Sequence, residues 1–531
     1  MTRFCFYMVA LACMNFLHAA PHFTEVTPEG IPAEGDAPAV HWLDYDRDGK
    51  PDLFLNGRLF HNISEKGAFR FEDKTDASGL KGDDGPCLCY DYDNDGWTDI
   101  VIAAEEPHVW RNKGDGTFED KAAAVGFKPV PPVMSLCAGD VDGDGRADLF
   151  VGKGEIWRGG DEPSSYFPAE LWLNQGDKWV ESAAAKGLDR KTYARAVLMA
   201  DLNGDGCCEI FVANYRLQPN LLWVSNGNGG FSEQGVAYGV AGKYEPNKYY
   251  DNVARRNFGP MYGHSIGACW TDYDNDGRLD IFVANLVHKY VGPGRKLSQF
   301  DSRGYICGDS EILHNLGNRK FVEGREQLKV PTKPIGGREV FKGDELWAGC
   351  APADVDNDGW EDVFVPQIYN LPYAYSLLMM NQEGRHFANL ARQAGIIRID
   401  THSGAWADVD GDGAMDLLTG GRSGVGKSPQ KAFFRNDGVE GGWLAVELRS
   451  GEGGTALGAM VTVKTDAGVP QTRVNASNVS TLSQQNDPAL HFGLDTAEKA
   501  SVTVKWLDGT TATQEAASGA RLVFVREKKG E

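Results

Sequence analysis

Residues 91–99 read Asp-Tyr-Asp-Asn-Asp-Gly-Trp-Thr-Asp, a pattern of acidic residues around a glycine that recurs along the chain. Seven copies, here called loops one to seven, start at Asp44, Asp91, Asp140, Asp201, Asp272, Asp354 and Asp408. Successive starts are 47, 49, 61, 71, 82 and 54 residues apart, so the basic period is about 50 residues. A repeat of that length suits one four-stranded blade of a β-propeller.

The sequence around each loop repeats as well. Each loop leads into a short apolar stretch, such as residues 100–104, which predicts a strand buried on both faces. A second strand follows and usually ends in Asn-x-Gly. A third strand, a Phe or Trp followed by any residue and then an acid or amide, occurs seven times, and its first copy at Phe23–Val26 precedes loop one.

These repeats predict an all-β fold, a seven-bladed propeller over residues 21–440. The extra leading strand is expected to close the ring by pairing with the segment near Phe433, because closure removes exposed sheet edges. A solenoid of the same repeats is the structural alternative, and the leading strand favours the ring.

The spacing of the acidic residues predicts one calcium ion in each loop. Calcium binds six to eight oxygens, and side chains at positions one, three, five and nine can converge around a turn made by glycine at position six. The predicted ligands are Asp44, Asp46, Asp48 and Asp52; Asp91, Asp93, Asp95 and Asp99; Asp140, Asp142, Asp144 and Asp148; Asp201, Asn203, Asp205 and Glu209; Asp272, Asp274, Asp276 and Asp280; Asp354, Asp356, Asp358 and Asp362; and Asp408, Asp410, Asp412 and Asp416.

A solvated acidic turn is the alternative interpretation of a single loop. Seven copies with the same glycine favour metal binding, because four carboxylates in nine residues repel each other without a cation. Identical ligands in every loop favour a structural role over a catalytic one. Loop four has Asn203 and Glu209 in place of two aspartates and is expected to bind calcium most weakly.

Residues 441–531 are expected to form a small β-sandwich-like domain, because residues 460–464 and 502–506 alternate between apolar and polar. The repeats resemble FG-GAP/VCBS propellers, and the region after Gly442 resembles the ASPIC/UnbV domain. The stretches that carry the second resemblance are 442–444, 458–463, 482–485, 490–494 and 504–506. The combination resembles the cartilage acidic protein-like family, which implies a secreted, calcium-dependent binding or adhesion role and no known reaction.

Residues 1–20 resemble a signal peptide, with Arg3 before an apolar stretch and small residues Ala19 and Ala20 before Pro21. A lipid anchor at Cys13 is the alternative. Export allows disulfides among the eight remaining cysteines, although burial as small hydrophobic residues explains Cys89 and its equivalents equally well. The sequence has no C-x-x-C pair and so gives no indication of a structural zinc site.

Three further features are candidate sites. Residues 421–428 match a phosphate-loop pattern, but a strand follows instead of a helix, so we expect no nucleotide there. His41, His264 and His402 precede predicted inner strands and could form a site at the channel mouth or simply pack. Insertions at about 236–263 and 286–311 are basic and aromatic, and they could bind a protein or a glycan or be solvated loops.

The net charge of −22 argues against nucleic acid as a partner. No stretch after the N-terminus is long and apolar enough to span a bilayer. We therefore expect an exported calcium-binding propeller that acts as a binding or adhesion module. The alternatives are an extracytoplasmic enzyme with its site at the channel mouth and a purely structural envelope component.

Overall fold

The regular structure of this chain is almost entirely β, which confirms the predicted fold class. The computed structural model describes residues 20–33, 35–81, 85–156, 165–216, 218–226, 230–244, 250–251, 256–257, 262–286, 309–330, 346–368, 375–421, 431–466 and 468–528. The helices in these residues include four single turns: α1 (Thr75–Ser78), α2 (Ala122–Val125), α3 (Ala183–Lys186) and α4 (Gly235–Tyr238).

Seven four-stranded antiparallel sheets, one for each acidic loop, make up most of the described chain. Strands are numbered in chain order. From the inner to the outer strand, the sheets are β2 (His41–Leu43), β3 (Asp52–Leu55), β4 (Arg58–Asn62) and β5 (Phe71–Asp73); β6 (Cys87–Tyr90), β7 (Asp99–Ile102), β8 (His108–Asn112) and β9 (Phe118–Asp120); β10 (Val133–Gly139), β11 (Asp148–Lys153), β14 (Glu170–Asn174) and β15 (Trp179–Glu181); β17 (Ala194–Ala200), β18 (Glu209–Asn214), β19 (Leu221–Ser225) and β20 (Phe231–Glu233); β23 (Ser265–Thr271), β24 (Asp280–Asn285), β25 (Glu311–Asn315) and β26 (Phe321–Glu323); β27 (Ala351–Ala353), β28 (Asp362–Val365), β29 (Leu377–Asn381) and β30 (Phe387–Asn389); and β31 (Ser403–Ala407), β32 (Asp416–Gly420), β33 (Ala432–Asn436) and β1 (Phe23–Val26).

Two small sheets lie between these elements. The first contains β12 (Glu155–Ile156), β13 (Ser165–Pro168) and β16 (Lys191–Thr192), and the second contains β21 (Tyr250–Asp251) and β22 (Arg256–Asn257).

The sheets close into a ring in the expected way. Strand β1 pairs antiparallel with β33, with Phe23 opposite Asn436 and Val26 opposite Phe433. Around the ring, the inner strand of each sheet packs against the inner strand of the next, and β31 of the seventh sheet packs against β2 of the first. The N-terminal strand therefore completes the last sheet, as expected from its sequence.

The Asn-x-Gly asparagine joins neighbouring blades. The side-chain amide of Asn174 donates to the carbonyl of Tyr92 in the preceding blade at 2.7 Å, and that of Asn112 donates to Tyr45 O at 2.7 Å. Asn436 donates to Val355 O in the same way, at 3.0 Å. These asparagines are at most 2% exposed, so the bonds lie inside the ring, out of contact with water.

The acid or amide that ends the outer strand positions the helical turn behind it. Asp120 Oδ1 accepts a hydrogen bond from the N–H of Ala122 at 3.0 Å, at the start of α2. Gly126 ends α2 with φ of 78°, a conformation that favours glycine. The same arrangement recurs at Glu181 and Ala183, at 2.9 Å.

Residues after Gly442 form two sheets that share one core. The first sheet has the order β37 (Ala489–Asp495), β34 (Gly442–Arg449) and β40 (Ala520–Val525), and the second β36 (Gln471–Val474), β35 (Met460–Lys464), β38 (Lys499–Lys505) and β39 (Thr511–Ala517). Val446 and Phe492 of the first sheet pack in one cluster with Val461 and Val502 of the second. This C-terminal domain is a small sandwich, and its loop at residues 475–487 enters the ring.

The cysteines of the described residues are buried free thiols. They are Cys87, Cys89, Cys137, Cys207, Cys208, Cys269 and Cys350, whereas Cys307 lies outside the described residues. Burial raises the pKa of the Cys137 thiol to about 12, which makes it a poor nucleophile. The structure therefore favours the packing interpretation of these residues.

Candidate metal centres

The backbone aims the acidic side chains of every loop in the same way. The glycine N–H at position six donates to the first aspartate at 2.7–3.1 Å in all seven loops. The residue at position seven donates its N–H to the fifth-position aspartate, as Trp97 does to Asp95 at 2.9 Å. In six loops the ninth-position carboxylate accepts from the backbone at position two, as Asp99 does from Tyr92. In loop five Asp280 accepts from Asn315 of the following strand, while its Oδ2 has no hydrogen-bond partner. The loops therefore share one backbone frame with local differences.

Buried carboxylate oxygens without a hydrogen-bond donor point to a cation. The ninth-position residue is at most 2% exposed in all seven loops. In five loops at least one buried ligand oxygen has no hydrogen-bond partner: Asp44 Oδ1, Asp91 Oδ1, Asp142 Oδ1, Asp274 Oδ1, Asp280 Oδ2 and Asp410 Oδ1. Three ligand oxygens of loop two, from Asp91, Asp93 and Asp99, lie within 4.8 Å of one another. A buried carboxylate oxygen is costly unless it is paired or binds metal, so this donor set fits a hard divalent ion.

Burial raises the pKa values of these carboxyl groups. It raises the pKa of Asp91 to about 7 and that of Asp272 to about 8, and neighbouring carboxylates raise both further. The pKa of the fully buried Asp99 lies well above its usual range for the same reasons. Without a cation the loops would hold protons near neutral pH, and a divalent ion supplies the missing positive charge.

Loop four differs from the other loops, as its sequence indicated. The Asn203 side-chain amide donates to Asp205 Oδ2 at 3.1 Å and to Glu209 Oε1 at 2.8 Å. These two hydrogen bonds partly satisfy carboxylates that a metal would otherwise bind. The arrangement agrees with the expectation that loop four binds calcium most weakly.

Two histidines contact the acidic loops, and the loop motifs in the sequence did not indicate them. His61 Nδ1 lies 3.2 Å from Asp52 Oδ1 and 3.3 Å from Asp46 Oδ2 in loop one. His314 Nδ1 lies 3.3 Å from Asp280 Oδ1 in loop five. The hydrogen bond to Asp52 raises the pKa of His61. The available signal was the pair His-Asn at the end of the second strand, at residues 61–62 and 314–315.

The three histidines proposed for a channel-mouth site have unrelated partners. His41 is buried and its Nδ1 lies 3.2 Å from Gln485 Oε1, and burial lowers its pKa to about 4. His264 packs against Tyr215 with ring centroids 4.4 Å apart. His402 Nε2 lies 3.7 Å from Asp400 Oδ1. These contacts favour the packing interpretation.

The other candidate features lie largely outside the described residues. Of the phosphate-loop pattern at 421–428, only Gly421 is described. Of the insertions, residues 245–249, 252–255, 258–261 and 287–308 are outside, so their binding role stays a prediction.

The pH dependence of stability should change sign with calcium. In chelated protein, carboxyl groups with raised pKa values, such as Asp91 and Asp272, make the folded state bind more protons than the unfolded state above pH 4. The free energy of unfolding should therefore fall as pH rises from about 4 to about 8. With saturating calcium it should rise with pH, because protons compete with the ion. His41, His491 and carboxyl groups with lowered pKa values, such as Asp508, oppose the first trend, but they are fewer than the carboxyl groups whose pKa values are raised.

Denaturant titrations at about pH 5 and about pH 7.5, with calcium and with chelator, check this prediction. Slopes of the same sign in both conditions would contradict it.

Comparison with known proteins identifies the two parts of the chain. A family model described as FG-GAP-like repeat matches residues 91–151, 201–283 and 354–419. A model described as ASPIC and UnbV matches residues 450–531. The chain therefore carries FG-GAP-like repeats followed by an ASPIC and UnbV domain, as its motifs suggested.

Its relatives include cartilage acidic protein 1 of Mus musculus, 25% identical over 409 residues that cover 73% of this chain and 54% of that protein. The Homo sapiens protein of the same name is 25% identical over 410 residues, covering 73% of this chain and 53% of the relative. The chain spans about half the length of these curated relatives. Among solved structures, the Photorhabdus luminescens Tc holotoxin pore is 12% identical, with a TM-score of 0.36 over 91% of this chain and 18% of that chain.

Proposed function

We propose that this chain is an exported binding module in which the seven acidic loops each hold a structural calcium ion. The observation that carries the proposal is the set of buried ligand oxygens without a hydrogen-bond donor, repeated in equivalent loops around the ring. Bound calcium would connect the end of each inner strand to the start of the next strand, and its binding free energy would add to the stability of the ring.

The ligands would be the side chains at positions one, three, five and nine of each loop, with the carbonyl at position seven. The ring would occupy residues 21–440 and the second domain residues 441–531. Export is supported by the sequence pattern of residues 1–20. Among the described residues, no helix reaches the length and apolar character that crossing a bilayer requires.

Binding or adhesion is favoured over catalysis by the occupant of the channel. The loop at residues 475–487 enters the mouth next to the acidic loops and bonds to the inner strands there, so this chain's own side chains occupy space that a substrate would need. A protein or glycan partner would then use the outer surface of the ring, with the insertions at 236–263 and 286–311 as the candidate surface.

Elemental analysis of the purified chain tests the metal part of the proposal. After gel filtration in calcium we expect about seven calcium ions per chain, and about six if loop four releases its ion. If the chain holds about six calcium ions, Asp205→Asn should leave that number nearly unchanged, because Asp205 lies in loop four, which is expected to bind calcium most weakly. Fewer than about two ions per chain would contradict the proposal.

A further inference from the structure

The loop at residues 475–487, here called the channel segment, binds the inner strands of the ring through polar side chains. Backbone N–H groups of the ring donate to these side chains. Leu136 donates to Ser483 Oγ at 2.5 Å, Ala138 to Ser477 Oγ at 2.8 Å, Cys89 to Gln485 Oε1 at 2.8 Å, Cys350 to Ser480 Oγ at 3.0 Å, Trp406 to Asn486 Oδ1 at 3.0 Å and Gly404 to Gln484 Oε1 at 3.1 Å. The segment thus caps strand edges that would otherwise face an open channel.

Carbonyl groups of the ring bind the same segment. Asn478 Nδ2 donates to Leu136 O at 3.0 Å and to Val197 O at 2.8 Å. Gln485 Nε2 donates to Cys89 O at 2.7 Å, and Trp42 donates its N–H to Gln485 O at 3.2 Å. The channel segment therefore bonds to six of the seven blades, including blades one and four.

The tip of the channel segment lies deep in the channel. Ser477 and Asn486 bond to Ala138 and Trp406, each of which lies two residues before the first aspartate of an acidic loop. Thr481, at the tip, donates to Arg195 O at 3.4 Å, near the opposite end of its inner strand. The segment runs from the loop face of the ring towards the far mouth.

The C-terminal domain that carries this segment rests on the acidic loops. The glycine at position six has φ between 83° and 91° in all seven loops, and a Cβ there would lie within 4.0 Å of the C-terminal domain. The facing partners are Arg521 at Gly49, Ser450 at Gly96, Gly454 at Gly145, Leu507 at Gly206, Thr472 at Gly277, Gln471 at Gly359 and Trp443 at Gly413. The turns that would bind the ions are thus also in contact with the C-terminal domain.

One predicted metal ligand bonds directly to the C-terminal domain. Asp354 Oδ2 accepts a hydrogen bond from the N–H of Gly493 at 2.9 Å while also accepting from Gly359 at 2.8 Å. Next to it, Arg473 Nε lies 3.3 Å from Glu361 Oε1, and both side chains are largely buried. In loop three, Thr455 donates to Gly145 O at 2.8 Å. Loops three and six therefore contribute atoms to the docking contacts, so a change in the geometry of these loops moves those contacts.

We propose that cation binding in the acidic loops holds the C-terminal domain on the ring, and that loss of the cations releases the channel segment and opens the channel. This inference rests on the proposed calcium sites. Without ions, the loop carboxyl groups either repel each other or take up protons, and in both forms the turns that carry the docking glycines and carbonyls lose the cation that would hold them.

Hydrogen exchange on the full chain, with the ion content measured in parallel, tests the inference. The reporter amides are Leu136, Ala138, Cys350, Gly404 and Trp406, which donate to the channel segment. The reference amides are those of the middle strand β11, which bond within their blade. On chelation we expect the reporters to exchange at least about 10-fold faster relative to the reference amides.

Two results would overturn the inference. Equal acceleration of reporter and reference amides would mean that the ring unfolds as one unit. Unchanged reporter exchange after the ions have left would mean that docking is independent of metal, while the calcium sites themselves would stand. Failure to find ions at all would instead contradict the proposed function.

A variant separates the segment from the ions. Gln485→Ala should accelerate exchange at Cys89 and neighbouring channel amides in calcium while leaving the ion count unchanged, since Gln485 bonds to Cys89 N and O and contacts no loop ligand. The matched control is Gln514→Ala, on the exposed face of β39. Exchange in Gln485→Ala equal to that of the control would contradict the role of the segment.

Discussion

Asp148→Asn is expected to destabilise the chain in calcium. In chelator the same substitution should destabilise the chain far less or should stabilise it. Asp148 is 1% exposed and is the ninth-position ligand of loop three. In calcium the substitution removes a charged ligand, and we expect a loss of one ion and of about 3 kcal/mol in the free energy of unfolding. In chelator, burial holds the pKa of Asp148 well above its usual range. The neutral amide of asparagine avoids the free-energy cost of burying an unpaired carboxylate.

Denaturant unfolding in both conditions measures this effect. The control is Asp189→Asn, an exposed aspartate in the same blade, which should change the free energy of unfolding by less than about 0.5 kcal/mol in either condition. Equal destabilisation by Asp148→Asn with and without calcium would show that the carboxylate acts only as a hydrogen-bond acceptor for Val141 and Asn174.

Asn174→Ala is expected to destabilise the ring by about 3 kcal/mol, both with and without calcium. Its amide joins blade three to Tyr92 of blade two at 2.7 Å, donates to Ala147 O at 3.3 Å, and its carbonyl accepts from Gly176 at 3.0 Å. Alanine leaves these buried groups without partners, and a buried unpaired polar group costs about 1–3 kcal/mol.

Equilibrium unfolding of two variants checks the asparagine prediction. Asn174→Ser copies the residue that blade four carries at Ser225 and should lose less than Asn174→Ala. A loss below about 1 kcal/mol for Asn174→Ala would show that the bonds between blades contribute little to stability.

Much of the ring could be inferred from local sequence because each repeat is specified by its own residues. The nine-residue loop, the apolar strand behind it and the Phe-x-acid strand recur at positions that the structure places equivalently. The leading copy at Phe23–Val26 had no loop before it, which favoured ring closure over a solenoid, and in the structure it pairs with β33.

Contacts between distant parts of the chain could not be inferred in this way. Residues 482–485 form a recognisable motif, but nothing local shows that they bond to Leu136, Cys89 and Gly404, which lie between 80 and 396 residues away. The glycine at position six was explained by its turn alone, whereas the structure gives it a second role beneath the C-terminal domain. Likewise, the sequence does not show which group the asparagine of Asn-x-Gly bonds to, because that group lies in the neighbouring blade.

The histidines show how one repeat can differ from another without changing the pattern. His61 and His314 occupy the position that Leu173 and Met380 hold in other blades. Each lies within 3.5 Å of carboxylates of its loop. In loop two, Arg111 holds the same strand position and donates to Asp93 and Asp95, so three loops receive a side-chain donor from this position. The nine-residue loop motif does not predict these contacts, because each histidine lies in a later strand of the same blade.

Thermal unfolding of the chain with calcium, with chelator and with magnesium shows whether the acidic loops bind calcium. We expect calcium to raise the melting temperature by more than about 10 °C over chelator, and magnesium to raise it far less, because the loops offer many oxygens in a flexible cage. No shift with calcium, or an equal shift with magnesium, would mean that the acidic loops are solvated turns and would contradict the account.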